Sequence, residues 1–533
     1  MKKLATLLIA AGLVFGATAP AANAIDFKAK GEWVMSFDYG QNGNFTGGHG
    51  QTGYNGKEDE FEAKQRLRLQ LDAVASENLS GTVFFEIGNT TWGQADNGGA
   101  LGADQKIVEV RRAYIDWMVP NTELKVRMGL QGMSIPSYTM KKSQVFEDDV
   151  AGITLSYQFT DNVGATAFWA RPYNDNFAGW NGYHDRSDNA NFMDNIDAFG
   201  LLIPLTFDGI KVTPWGMIAA IGPNALRDVF GEKDEHGKVI WTNNHFGNTP
   251  GTSTSQMLNG LLPAWGVAGT GADFRNPNGN ALELEQYATA WWAGVTADIT
   301  YFDPFRIAFD FMGGGVQWDD SRLNRAGWMA ALLVEYKMDW GIPGILGWYA
   351  SGDNSNLGDG SERLPYLSLG NGDNQFSNFA FDGHPYIARE GVLGPSMAGT
   401  WGVGLRVRDM SFIEDLKHTF RVNLIGGTND HGIFRQLAKG ATTVAGYPVN
   451  NNGDYGFKGL YLTDQDTALE ISLHNEYKMY ENFTIMLDAS YIALWLEDTK
   501  YEGIRRQMMG ANGDVTGETR DAWNVNVSFV YSF

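Results

Sequence analysis

Basic side chains recur at every second position in several stretches of this sequence. Lys64, Arg66 and Arg68 stand two apart, as do Lys125 and Arg127, and Arg406 and Arg408, with Arg421 on a neighbouring stretch. Period two sends every member of such a row to one face of an extended strand. Fixed cations on a wetted face attract small anions, and low-dielectric walls focus the field on them. Two readings share this spacing: a solvated wall without selectivity, and a ladder of charge lining a passage. Parity fixes the face of a side chain but not its depth.

Other chemistry is sparse. Cys is absent, which removes disulfides, thiolate metal sites and cysteine catalysis. No HExxH, GxSxG or phosphate-binding loop occurs, so no catalytic residue is assigned and the chain is not read as an enzyme. His474 shares a face with Glu470 and Glu476, and a polar wall explains the trio without a metal. Asp353, Asn354, Asp359, Asp373, Asn374 and the 450–454 run offer oxygen ligands to a loop-bound Ca2+, without the spacing of an EF-hand. No cofactor is required. Lys+Arg 40 against Asp+Glu 62 gives a net charge of −22, which argues against a nucleic-acid partner, so none is expected.

The elements that carry the basic rows are long strands. Residues 61–73 place Phe61, Ala63, Leu67, Leu69, Leu71 and Ala73 on one face, and Glu62, Lys64, Arg66, Arg68, Gln70 and Asp72 on the other. Residues 27–39 alternate in the same way. Strands of soluble proteins average about 5–6 residues, whereas a tilted strand crossing a bilayer needs about 9–11. The same criterion gives strands near 81–89, 108–119, 124–131, 150–160, 163–171, 196–207, 210–219, 288–301, 305–314, 325–338, 342–351, 399–409, 417–427, 467–479, 483–494 and 521–533. That makes eighteen, with sixteen as the alternative if the weakest two (196–207 and 342–351) are miscounted.

Their connections alternate between tight turns, such as Asp161-Asn162 and Asp208-Gly209, and long loops rich in Gly, Asn, Asp and Ser. The fold expected is therefore all-β: a transmembrane antiparallel β-barrel with short periplasmic turns and long extracellular loops. Its basic rows must then face the lumen, since Arg or Lys in lipid costs about 2–4 kcal/mol near the midplane. Trp33, Tyr39, Trp117, Trp291, Trp328 and Tyr477 lie at outward positions near strand ends, as interfacial girdles require.

The first residues set the compartment. Lys2 and Lys3, an apolar stretch over residues 4–19 and Ala22-Asn23-Ala24 read as a secretory signal cleaved after Ala24, leaving residues 25–533 as one barrel domain. A Gram-negative outer membrane is the expected location, with its lipid and lipopolysaccharide as surroundings.

The last strand alternates Trp523, Val525, Val527, Phe529, Tyr531 and Phe533 with mostly polar residues and ends the chain. This closing strand resembles the signal, here Phe529, Tyr531 and Phe533, by which outer-membrane barrels are recognised by their assembly machinery. With Arg66-Leu67-Arg68-Leu69, Arg112-Ala113-Tyr114 and the Tyr349-Ala350-Ser351-Gly352-Asp353-Asn354 stretch, the chain resembles trimeric diffusion porins, most closely those of sulfate-reducing bacteria. Eighteen strands depart from the sixteen usual in general porins and are more typical of substrate-selective ones.

The resemblance implies a homotrimer and a third loop, residues 132–149, folded into the channel. It would set Glu147, Asp148 and Asp149 across the constriction from Arg66, Arg68, Arg112 and Arg127. The function so implied is passive diffusion of small hydrophilic solutes and ions, with inorganic anions such as sulfate favoured by the Arg-rich lumen. A sugar- or nutrient-selective channel is the alternative, and a barrel enzyme a third reading.

Overall fold

The computed structural model describes residues 25–41, 60–95, 98–102, 108–174, 176, 193, 195–222, 225, 232–233, 239–240, 260–263, 286–356, 358–369, 374–381, 384, 386–387, 391–433, 461–496 and 521–533. The expected signal peptide and most of the loops near 40–58, 172–195, 220–287, 428–466 and 495–520 lie outside the described residues.

Alternation of apolar and polar residues produces the wall. Its strands are β1 (Asp26–Gln41), β2 (Glu60–Ser76), β3 (Leu79–Thr91), β4 (Val108–Met118), β5 (Leu124–Ser134) and β6 (Phe146–Thr160). The next six are β7 (Val163–Asn174), β8 (Asn195–Leu202, continued as Leu205–Phe207), β9 (Ile210–Ile221), β10 (Ala288–Ile299), β11 (Phe305–Gln317) and β12 (Arg325–Tyr336). The last six are β13 (Ile342–Ala350), β14 (Thr400–Ile413), β15 (Leu416–Gly427), β16 (Thr467–Tyr480), β17 (Phe483–Trp495) and β18 (Ala522–Ser532). Pro204 interrupts β8 because it has no amide to donate to a ladder.

Each strand pairs antiparallel with the next, and β18 returns to β1 from Glu32↔Ser532 to Gln41↔Trp523. The eighteen strands expected from periodicity are these eighteen, so the sixteen-stranded alternative is set aside. Closure leaves no sheet edge in the wall, which is what permits a sheet to stand in lipid. No helix among the described residues is long and apolar enough to cross a membrane; the crossing is by strands. Outward positions are large and apolar, with Leu332, Ile345, Leu405 and Leu487 exposed along the belt. Trp33, Trp117, Trp291, Trp328 and Tyr477 are exposed toward its rims. The chain is an outer-membrane β-barrel.

The closing seam ends on a tight contact. Gly31 N–H donates to the Phe533 carbonyl at 2.7 Å, and Phe533 N–H donates back at 3.0 Å. A Cβ on Gly31 would collide with the Phe533 ring and lie 2.7 Å from the Arg68 carbonyl oxygen. Gly31→Val is therefore expected to destabilise the seam by about 1–3 kcal/mol. A lowered unfolding temperature on heat-modifiability gels checks this, and an unshifted one contradicts it.

The inside of the wall departs from the expected wet face. On β7 to β13 many inward residues are also apolar: Phe168, Trp215, Met217, Trp292, Met312, Met329, Leu333, Leu346 and Trp348 are all buried. They form one core with segments of three loops that enter the lumen. These are loop 3 between β5 and β6, loop 5 between β9 and β10 (through Leu261 and Leu262), and loop 7 between β13 and β14. Both faces of these strands are therefore covered, one by lipid and one by loops. On β1 to β5 the inward face remains polar.

A candidate lumen site built on wall and folded loops

The basic rows lie inward as parity requires, and each is interleaved with acids. Arg68 Nε donates to Glu86 at 2.7 Å, and Arg66 stands 3.8 Å from Glu32. Arg127 forms a two-pronged pair with Asp116 at 2.7 and 2.8 Å, and its guanidinium sits 4.1 Å above the Tyr114 ring. Lys125 reaches the same carboxylate at 3.2 Å, and Lys64 pairs with Glu62. Glu86, Asp116 and Glu32 were not singled out from sequence, although all three share the inward parity of the basic rows.

Arg111 escaped the sequence reading for a stereochemical reason. The β3–β4 register skips between Phe84↔Arg112 and Phe85↔Val110, a β-bulge that leaves Arg111 as the extra residue. Strict alternation gives only one of two consecutive residues to the lumen; the bulge gives both. Arg111 donates to Glu86 at 2.9 Å and through Nε to Asp149 at 2.8 Å. Arg112 also donates to Asp149, with its guanidinium 5.6 Å from the Phe84 ring centre.

Glu147, Asp148 and Asp149 do not form the end of a loop. They lie at the start of β6, in register with Ser134, Met133 and Gly132. The segment that leaves the wall is narrower than expected, residues 135–145, and it does fold inward. Beyond Ala151↔Arg171, β6 has no pairing with β7; its free edge carries instead a two-residue parallel strand, Ser368–Leu369, from loop 7. Asp149 thus stands beside Arg111 and Arg112, not across the lumen from them. Arg66, Arg68 and Arg127 make their ion pairs elsewhere.

Loop 3 is pinned to the wall by one carboxylate. Asp310 on β11 is buried and accepts from Ser137 Oγ (2.7 Å), Tyr138 N–H (3.2 Å), Thr139 N–H (3.1 Å), and the hydroxyls of Thr139 and Thr296. Arg306 adds a bond to the Tyr138 carbonyl at 3.0 Å.

Loop 7 is held by the far rows. Arg406 and Arg421 lie beneath it, 3% and 7% exposed, and both donate to the Gln375 carbonyl, at 2.8 and 3.0 Å. Depth was the property that parity left open, and here it turns two expected pore cations into clips for a loop. Arg406, Arg408 and Arg306 converge on buried Glu335, and the outer part of Arg408 stays open beside Asp409. Glu470 Oε1 accepts the backbone amides of Asn378, Phe379 and Ala380 at 3.0, 2.8 and 3.2 Å. Asp488 is shared by Asn378, His384 and His474. His474 therefore meets a carboxylate on the next strand. Ile387 carries loop 7 on to Val34 and Val530 of the closing seam.

At the base of loop 7, Asp353 accepts from Ser361, Tyr461 and the Glu362 amide, while Asp359 accepts from Asn354 and Asn356. Burial, with Asp353 and Asp359 nearby, holds the Glu362 carboxyl above the usual carboxylate range. No three acid or His side chains among the described residues converge as metal ligands do. Asp373 and residues 450–454 lie outside the described residues.

No family model matches the sequence, and no curated protein does. Among the solved structures to which the chain is similar is the outer membrane protein OprD from Pseudomonas aeruginosa. Pseudomonas aeruginosa OccK5 (OpdH) is 11% identical with a TM-score of 0.47, covering 95% of this chain and 98% of that one. Acinetobacter baumannii OccAB3 is 9% identical with a TM-score of 0.48, covering 95% and 100%. Pseudomonas aeruginosa OprD is 9% identical with a TM-score of 0.46, covering 97% and 98%. The barrel class itself rests on the closed strand order described above.

Proposed function

We propose that this barrel is a passive channel for small hydrophilic solutes, with a preference for those that carry negative charge. The path runs along the inner face of β2 to β5, because the opposite side is filled by loops 3, 5 and 7. The observation that carries the reading is the residual openness of the paired cations there. The side chains of Arg112, Lys125 and Arg127 are 39%, 42% and 30% exposed, although each is ion-paired. Such a wall offers a travelling anion successive partners without holding it. Inorganic anions such as sulfate fit this chemistry, and no cofactor or catalytic group is called for.

A second, substrate-selective reading draws on the aromatic rings beside two of the arginines, Phe84 with Arg112 and Tyr114 with Arg127. A flat solute with an acidic group would meet both a guanidinium and a ring. A homotrimer in outer-membrane lipid, like the porins of sulfate-reducing bacteria, completes the proposal. Phe529, Tyr531 and Phe533, on the outward face of β18, would be its assembly signal.

Reversal potentials of purified protein in a planar bilayer under a KCl gradient test the charge preference. Anion preference is expected, reduced about two- to fivefold by Arg112→Ala with Arg127→Ala, because the focused field weakens as fixed cations are removed. Cation preference left unchanged by both substitutions would overturn it. Migration on unheated gels reports the trimer.

A further inference from the structure

Asp149 is a carboxylate held as a solute would be. Both arginines of the β4 bulge donate to it; Arg111 is also tethered to Glu86 and Arg112 rests against the Phe84 ring, so neither guanidinium is placed by Asp149 alone. Asp149 itself is largely covered, with 12% of its side chain exposed, whereas Arg111 and Arg112 are 27% and 39% exposed. An anion in the lumen therefore reaches the guanidiniums from their open side.

Asp149 is also wired to the contact between the two folded loops. Its N–H donates to Asp148 at 2.7 Å, and the other oxygen of Asp148 accepts from Ser368 Oγ of loop 7 at 2.7 Å. From there a seam runs inward: Ser368–Leu369 beside Phe146–Glu147, Leu367 N–H to the Val145 carbonyl at 2.8 Å, and Gln375 Nε2 to the Thr139 carbonyl at 2.7 Å.

We propose that Arg111 and Arg112 form an anion site whose resident ligand is the chain's own Asp149. A solute carboxylate that takes these guanidiniums displaces Asp149 and loosens the seam between loops 3 and 7. The solute binds the loosened arrangement better because two carboxylates cannot share the two guanidiniums without repulsion, and Glu86 already stands beside them. A ligand shifts a conformational equilibrium only through such a difference in affinity. Carboxylate engages a guanidinium through two parallel hydrogen bonds and chloride does not, so carboxylates are the effective class. The inference rests on the reading that solutes pass along this wall.

Hydrogen–deuterium exchange of the detergent-purified barrel tests it, with acetate as the probe and chloride at matched ionic strength as the reference. Acetate is expected to speed exchange of the Leu367 amide about tenfold, within the usual range of coupling between sites. Asp149→Asn should exchange fast with either anion, while amides of the β1–β18 seam stay protected and report an intact barrel. Acetate leaving the wild-type Leu367 amide unchanged would overturn the latch, whatever the variant does. So would Asp149→Asn showing wild-type protection. Bilayer conductance of the same preparation separates the two levels: no channels would refute the diffusion reading, while the exchange data still decide the latch.

Discussion

Glu470→Ala channels are expected to conduct several times more current than the wild type. Glu470 is fully buried on the inner face of β16, and one of its oxygens gathers three consecutive loop 7 amides and the Ser377 hydroxyl. The other accepts from Asn423 at 2.9 Å. Each hydrogen bond to a charged acceptor contributes about 1.5–3 kcal/mol, and three stranded amides would otherwise be buried without partners. The favourable response is for residues 374–381 to leave the lumen and find water. The barrel itself should persist, because Glu470 carries none of the ladder bonds between β15 and β17 through its side chain. Single-channel recording reads the change, and exchange at the Phe379 amide reads its cause. A channel with wild-type conductance and a protected Phe379 amide would show that loop 7 is held by other means.

Asp310→Ala is the corresponding experiment on loop 3. Two backbone amides and three hydroxyls lose one acceptor, again at about 1.5–3 kcal/mol for each bond to the charge. The tip at Ser137–Thr139 should detach from β10 and β11, raising conductance and exposing residues 135–145 to exchange. Asp310→Asn keeps one accepting oxygen and should fall between the two. Substitutions at distant, unconnected sites usually add. Here the loops share a seam, so the double variant should gain less than the sum of the single gains. Full additivity would mean that the seam does not couple them, and an Asp310→Ala protein with a quiet, unchanged pore would remove loop 3 from the constriction.

The wall was legible because lipid imposes a simple rule on it. Residues 61–73 alternate with one exception, Gln65, since one face meets hydrocarbon, and the same constraint marks the other seventeen strands. Arg111 was not legible: a bulge is a defect in the period that revealed everything around it. Depth was hidden for Arg406 and Arg421, which face inward as the open Arg127 does although a loop covers them. Loop 7 looked like solvated chain by its Gly, Asn and Asp. Its apolar residues, Leu364, Leu367, Leu369, Phe376, Phe379 and Phe381, argue otherwise, since such a set is poorly placed in water. They were the available signal. Which strands receive them depends on contacts hundreds of residues apart, as between Gln375 and Thr139, and no local pattern records those.

The apolar part of the inner face of β7 to β13 has a consequence for how the molecule is made. Trp215, Trp292, Met329 and Trp348 would stand against water in a barrel that closed empty. Barrel closure and the seating of the three loops are therefore expected to stabilise one another, because an empty barrel leaves this apolar surface uncovered. A substitution deep in loop 7 can then fail as a biogenesis defect, lowering the amount of barrel delivered to the membrane before any question of permeation arises.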